Sequence, residues 1–202
     1  MRILGIDPGY ALMGYGVIEQ SGNSFRVIDY GSISTEAGTP MPEGLKFLYS
    51  SLMDIIADTE PEAAALEELF YNTNAKTVIN VGQARGVAVL ACVNSGLTID
   101  EYTPLQIKQA LVGYGRAEKK QVQQMVKTIL KLNAVPKPDD TADALAVAIC
   151  HANSSGGSSR LAASIEKALA KEAVSHGRGY KTAAGRRKRA SAAAAEPFRI
   201  IK

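Results

Sequence analysis

Cysteine is scarce in this chain: there are two in 202 residues, Cys92 and Cys150, each among small apolar neighbours. So distant a pair builds neither a disulfide framework nor a zinc motif, and two buried thiols are expected instead. Long apolar runs are missing too, since nothing in the sequence approaches the ~20 residues of a membrane span. The opening run Ile3-Leu4-Gly5-Ile6 is cut by Asp7-Pro8-Gly9 too early to serve as a secretory signal. These absences predict a soluble, cytoplasmic protein in a reducing compartment, with no membrane partner.

What is present is a large apolar fraction, 46%, in a chain long enough for one well-buried core. The net charge of +3 conceals a division. Residues 1–154 carry 12 Lys/Arg against 17 Asp/Glu, whereas residues 155–202 carry 11 against 3. An acidic folded body over 1–153 and a basic tail over 154–202 are the expected domains. The tail opens with Ser154-Ser155-Gly156-Gly157-Ser158-Ser159, a linker composition, and contains Arg186-Arg187-Lys188-Arg189 without apolar periodicity. It reads as disordered when free. A basic tail of this kind adds general nucleic-acid affinity or is a dispensable, solubilising extension, and composition leaves both open.

The body alternates between two periods. Arg2–Asp7, Met13–Glu19 and Ser24–Ser34 read as three strands, the last two joined by a turn at Ser21-Gly22-Asn23. Leu45, Leu48, Leu52, Ile55 and Ile56 then share one helical face between Pro42 and Asp58. A short strand over Glu62–Glu67, a helix over Asn74–Val93 and a strand over Leu97–Tyr102 follow. Helices are expected over Pro104–Val112, Glu118–Leu132 and Asp140–Ala152. Gly82 and Gly86 inside the second helix each cost about 1 kcal/mol relative to alanine, which suggests close backbone approach to a partner helix or a phosphate. This order is that of an α/β, ribonuclease-H-like fold: a five-stranded mixed sheet flanked by helices.

Four carboxylates carry the chemistry. Asp7 ends the first apolar run, Glu67 ends Ala63-Ala64-Ala65-Leu66, and Asp140 and Asp143 stand three apart at a helix start. Acids at the ends of buried segments are costly unless satisfied. Two carboxylates 4 Å apart repel by roughly 4 kcal/mol at an effective dielectric near 20. A divalent cation reverses that sign, and hard oxygen donors suit Mg²⁺ or Mn²⁺. Taken singly, each acid has a plain explanation: Asp7 a turn, Asp139 or Asp140 a helix cap, Glu67 a solvated strand end. Jointly they point to a metal site for phosphate chemistry, because the proposed fold brings all three segments to one pocket.

The surrounding motifs sharpen this. Gly5-Ile6-Asp7-Pro8-Gly9, Gly14-Tyr15-Gly16-Val17-Ile18 and Leu66-Glu67-Glu68-Leu69-Phe70 closely resemble the RuvC family of Holliday-junction resolvases. Gly82-Gln83-Ala84-Arg85-Gly86-Val87, Lys108-Gln109-Ala110-Leu111-Val112-Gly113, Ala117-Glu118-Lys119 and Asp140-Thr141-Ala142-Asp143-Ala144-Leu145-Ala146 extend the likeness in unbroken order. The resemblance selects Glu67 over Glu68 and Asp140 over Asp139. It implies a homodimeric endonuclease that cuts four-way DNA junctions symmetrically, in recombination and repair. Asp7, Glu67, Asp140 and Asp143 would then hold two Mg²⁺ ions per subunit, with Mn²⁺ able to substitute.

The same resemblance makes Phe70 an aromatic wedge stacking on bases, against the alternative of a core phenylalanine. Lys108 and Lys119 match basic positions that in the family face the DNA near the active site. Arg85 is a further candidate DNA contact, with pairing to an acid across the dimer left open. A branch-migration motor is an implied partner. Two rivals remain: a non-catalytic junction-binding protein, and an actin-like ATPase, which a body of about 150 residues is too short to build.

Overall fold

The computed structural model describes residues 1–68 and 75–155. Five strands form one sheet: β1 (Arg2–Asp7), β2 (Leu12–Ser21), β3 (Ser24–Ser34), β4 (Ala63–Glu67) and β5 (Thr98–Tyr102). Their order across the sheet is β3-β2-β1-β4-β5. β1, β2 and β3 form an antiparallel meander, while β4 lies parallel to both β1 and β5. The sheet is therefore mixed, as the sequence predicts. Hairpin β2–β3 closes at Ser21↔Ser24 around Gly22, whose φ of 60° lies in the left-handed region that glycine enters freely.

The helices are α1 (Met41–Thr59), α2 (Ala75–Asn94), α3 (Pro104–Val112), α4 (Lys119–Ile129) and α5 (139–155). Thr103 caps α3 by accepting from the Gln106 N–H, while the Gln106 side chain accepts from the Thr103 N–H. Gln121 likewise accepts from the Glu118 N–H at 2.8 Å as α4 begins. α4 ends before the expected Leu132, because Lys131 turns to φ 54° and leaves the helix.

Strand alternation divides the core into two layers. Leu4, Ile6, Val17, Ala64 and Leu66 point to one face and pack with Leu48, Leu52 and Ile56 of α1 and Ala84, Ala88 and Ala91 of α2. Ile3, Ile18 and Ala65 point to the other, against Leu145 and Ile149 of α5 and residues of α3 and α4. On that second face α5 lies almost on the strand backbone. A Cβ at Gly5 would collide with the Ala144 oxygen, and one at Gly14 with the Asp140 oxygen. Only glycine permits this approach.

Gly82 and Gly86 behave otherwise. Among the described residues a Cβ at either would meet nothing within 4 Å, so the close approach expected of them is not made to any described part of the chain. Cys92 and Cys150 are free and buried, as expected. Among the described residues no helix is long and apolar enough to cross a membrane. Phe70 and the basic tail, with the expectations attached to them, lie outside the described residues.

Candidate active site

Alternation fixes where the first two acids point. Asp7 follows Ile3 and Gly5 on the α5 side of β1, and Glu67 follows Ala65 on the same side of β4. The two strands run parallel with Ile6↔Leu66 in register, so both carboxylates leave the same end of the sheet. Above them comes the start of α5. Because Gly14 pairs with Asp7, the Asp140 backbone lying on Gly14 is brought beside the Asp7 strand end. Asp143, one turn on, lines a groove with Glu67, Lys108 and Lys119 over an apolar floor of Ile107 and Val122. Thr141, between the two aspartates and fully buried, donates from its hydroxyl to the Gly31 oxygen at 3.0 Å. That bond ties the first turn of α5 to β3. Nothing in the sequence around Thr141 signals this bond to a strand 110 residues away.

Electrostatics show that the acids share one environment. Burial, followed by the charges of Glu67, Asp143 and Asp140, raises the Asp7 carboxyl from 3.8 to about 7. Burial also raises Glu67, helped by Asp143 and opposed by Lys119 and Lys108. Asp143 is raised by burial too, with Lys119 pulling the other way. The Lys119 ammonium lies 2.7 Å from Asp143 Oδ2 and 3.9 Å from Asp139 Oδ2. Burial would lower the Lys119 pKa, but its bond to Asp143 and the charges of Asp139 and Asp140 outweigh that and raise it. Asp139 itself pairs with Lys137 at 2.6 Å, outside the acid cluster.

Among the described residues, no three acids, histidines or cysteines close tightly around one point as a ligand set. The four carboxylates share one region, and Lys119 is paired with one of them, Asp143. Their donor chemistry still suits a hard cation: all are carboxylate oxygens, and their mutual repulsion is what a divalent ion would relieve.

Arg85, for which the sequence leaves a DNA contact and pairing across a dimer open, has partners within its own chain. Its side chain is only 13% exposed, and its acid partner is Glu101 of the same chain. Its Nη1 donates to the Glu67 backbone oxygen at 3.0 Å. Both ends of the guanidinium are thus engaged within the same chain. A second unforeseen pairing is buried His151 on α5, whose Nδ1 lies 3.0 Å from the Tyr102 hydroxyl on β5. His151 also stands 3.6 Å from Asp100. Burial lowers its pKa, favouring the neutral ring, and this pair fastens the later turns of α5 to the sheet.

Comparison with known proteins supplies the context. A family model described as "Crossover junction endodeoxyribonuclease RuvC" matches residues 3–151. A protein with that description from Caldanaerobacter subterraneus subsp. tengcongensis is 60% identical over 161 residues, covering 80% of this chain and 98% of the relative. Its counterpart from Alkaliphilus oremlandii is 61% identical over 153 residues, covering 76% and 93%. Among solved structures, Thermus thermophilus RuvC in complex with Holliday junction substrate aligns with a TM-score of 0.73 at 34% identity. That alignment covers 77% of this chain and 94% of the other. A yeast mitochondrial Holliday junction resolvase aligns with a TM-score of 0.53 at 15% identity, a likeness of fold alone.

Proposed function

The chain belongs to the RuvC family of crossover junction endodeoxyribonucleases, and from that premise we propose that it resolves four-way DNA junctions by metal-assisted hydrolysis at Asp7, Glu67, Asp140 and Asp143. The observation that carries this reading is the convergence of carboxylates from β1, β4 and α5, whose charges add to burial in raising Asp7 to about 7. Two Mg²⁺ ions per subunit, with Mn²⁺ as a substitute, are the cofactors this donor set suits. Held there, they would supply a polarised water for attack on phosphorus and neutralise charge on the leaving oxygen.

The chain's own residues do the rest. Ionised carboxylates hold the cations, so activity falls in acid as they take up protons, and bound cations shift Asp7 below the value of about 7 that it has in the metal-free site. Lys108 and Lys119 flank the groove and draw the scissile phosphate toward the acids. The floor of Ile107 and Val122 keeps water thin beneath them, which strengthens each charge interaction. Phe70, two residues beyond the described end of the β4 segment, stacks on bases at the crossover.

The active species is a homodimer, as symmetric cutting of two strands requires. Support comes from α2, where Ile79, Leu90 and Val93 are 60%, 51% and 57% exposed along one face with Gly82 and Gly86 between them. Such a stripe fits a second copy of the helix. The nuclease body spans 1–153, and the basic tail from 154 adds general DNA attraction. The protein works in the cytoplasm, with a branch-migration motor as partner.

The test is incubation of a synthetic four-way junction with the protein, with and without Mg²⁺. Symmetric nicking that EDTA abolishes, with linear duplex spared, is expected. Metal-independent cutting, or equal cutting of linear duplex, would refute the reading.

A further inference from the structure

Arg85 is a largely enclosed cation, 13% exposed, that touches the residue carrying the proposed Glu67 ligand. Its guanidinium joins three elements. The stem comes from α2, Nη1 reaches the Glu67 oxygen at the end of β4, and Nη2 pairs with Glu101 on β5. Glu67 needs such a hold. Its register partner on β5 is Tyr102, but it has none on β1, because the β1–β4 ladder stops at Ile6↔Leu66. At that point the strand loses one neighbour, and the direction of the Glu67 side chain depends on how its peptide is fixed.

We infer that Arg85 is a positioning residue for the metal site: by gripping the Glu67 carbonyl and Glu101 together, it sets the direction in which the Glu67 carboxylate leaves the sheet. The inference rests on the proposed role of Glu67 as a metal ligand. A planar fork suits the task, because two donors on one rigid plane fix both a distance and an angle. Lysine, a single point charge, holds either the carbonyl or Glu101 and leaves the other free. Groups that orient a ligand in this way typically account for about 10–100-fold in metal affinity or activity.

The experiment uses full-length protein and compares wild type with Arg85→Gln, Arg85→Lys, Glu101→Gln and Glu67→Gln. Two quantities are measured: Mn²⁺ affinity of the free protein by calorimetry, and junction affinity in EDTA. Arg85→Gln is expected to weaken Mn²⁺ binding by about 10-fold or more while leaving junction affinity in EDTA unchanged. Arg85→Lys should remain impaired. Glu101→Gln, a milder change at a half-exposed position, should weaken Mn²⁺ binding in the same direction, and it carries the test if Arg85→Gln fails to fold. Normal Mn²⁺ binding in the Arg85 and Glu101 variants, with loss in Glu67→Gln, would overturn the inference and leave the metal site standing. Normal Mn²⁺ binding in Glu67→Gln would overturn the metal-site reading itself. Loss of junction affinity in EDTA with intact Mn²⁺ binding would make Arg85 a DNA contact and also overturn the inference.

Discussion

Asp7→Asn should make the metal-free protein more stable while destroying its activity. In the unfolded chain Asp7 ionises near 3.8, whereas in the folded protein burial and its acidic neighbours raise it to about 7. A carboxyl with a raised folded pKa contributes its full stability below pH 3.8 and loses it as pH rises through 7. Above pH 7 the folded state therefore bears the whole cost of holding the charge, about 4 kcal/mol from the gap between those values. Asparagine keeps the shape and carries no charge. Side-chain relaxation around Lys119 absorbs part of the difference, so roughly 2 kcal/mol of gain is expected, a melting shift of about 4–8 °C for a chain of this size.

The assay is thermal unfolding in EDTA between pH 4 and pH 8, with cleavage and junction binding measured alongside. The variant should melt higher at pH 8, and the gap should close toward pH 4, where wild-type Asp7 is itself neutral. Added Mg²⁺ should stabilise wild type much more than the variant. Junction binding should persist and cleavage should vanish. A variant that melts at or below wild type at pH 8, or a gap that does not depend on pH, would refute the claim that enforced charge in this site costs folding energy.

Gly14→Ala should cost about 1–3 kcal/mol through overpacking against the Asp140 backbone. Its cleavage rate should fall by about 100-fold, since a shift near 1 Å in a catalytic group has that effect; melting curves and single-turnover kinetics read the two separately. Phe70→Ala should slow junction cleavage far more than it weakens binding, whereas a melting loss of several kcal/mol with unaltered cleavage would mark Phe70 as a core residue. Deleting residues 155–202 removes the part of the chain with 11 basic residues against 3 acidic. Affinity for all DNA should fall, and the log–log salt slope should flatten by about 0.9 per lost phosphate contact. Preference for junction over linear duplex should survive across a salt series.

The sequence revealed most where physics is local. Short continuous apolar runs mark β1 and β4, period-two alternation marks β2 and β3, and the helical spacing of Leu48, Leu52 and Ile56 marks α1, because each pattern is written within a few residues. The four acids were legible for the same reason: each ends or starts a segment whose type could be read. What escaped were pairings between distant segments. Arg85 meets Glu67 and Glu101, 18 and 16 residues away, and Lys119 meets Asp143, 24 residues away, across the length of α4 and the loop that follows it. Nothing near Arg85 in sequence distinguishes an inward cation from one that meets DNA. The glycines divide likewise: Gly5 and Gly14 face a helix backbone and Gly82 and Gly86 face open space, yet as letters they are identical.

The two-layer alternation of the sheet gives Asp7 a second task, during folding. Slipping β1 by a single residue would turn every side chain to the opposite face. Asp7 would then enter the layer of Leu48, Leu52 and Ile56, among aliphatic side chains. Burying a carboxyl there without a partner costs several kcal/mol, comparable to much of a domain's net stability. Misregistered chains are thereby penalised by the same residue that serves chemistry in the correct one. A polar side chain at position 7 thus disfavours the slipped register, and asparagine, whose amide is also costly to bury without a partner, retains that preference.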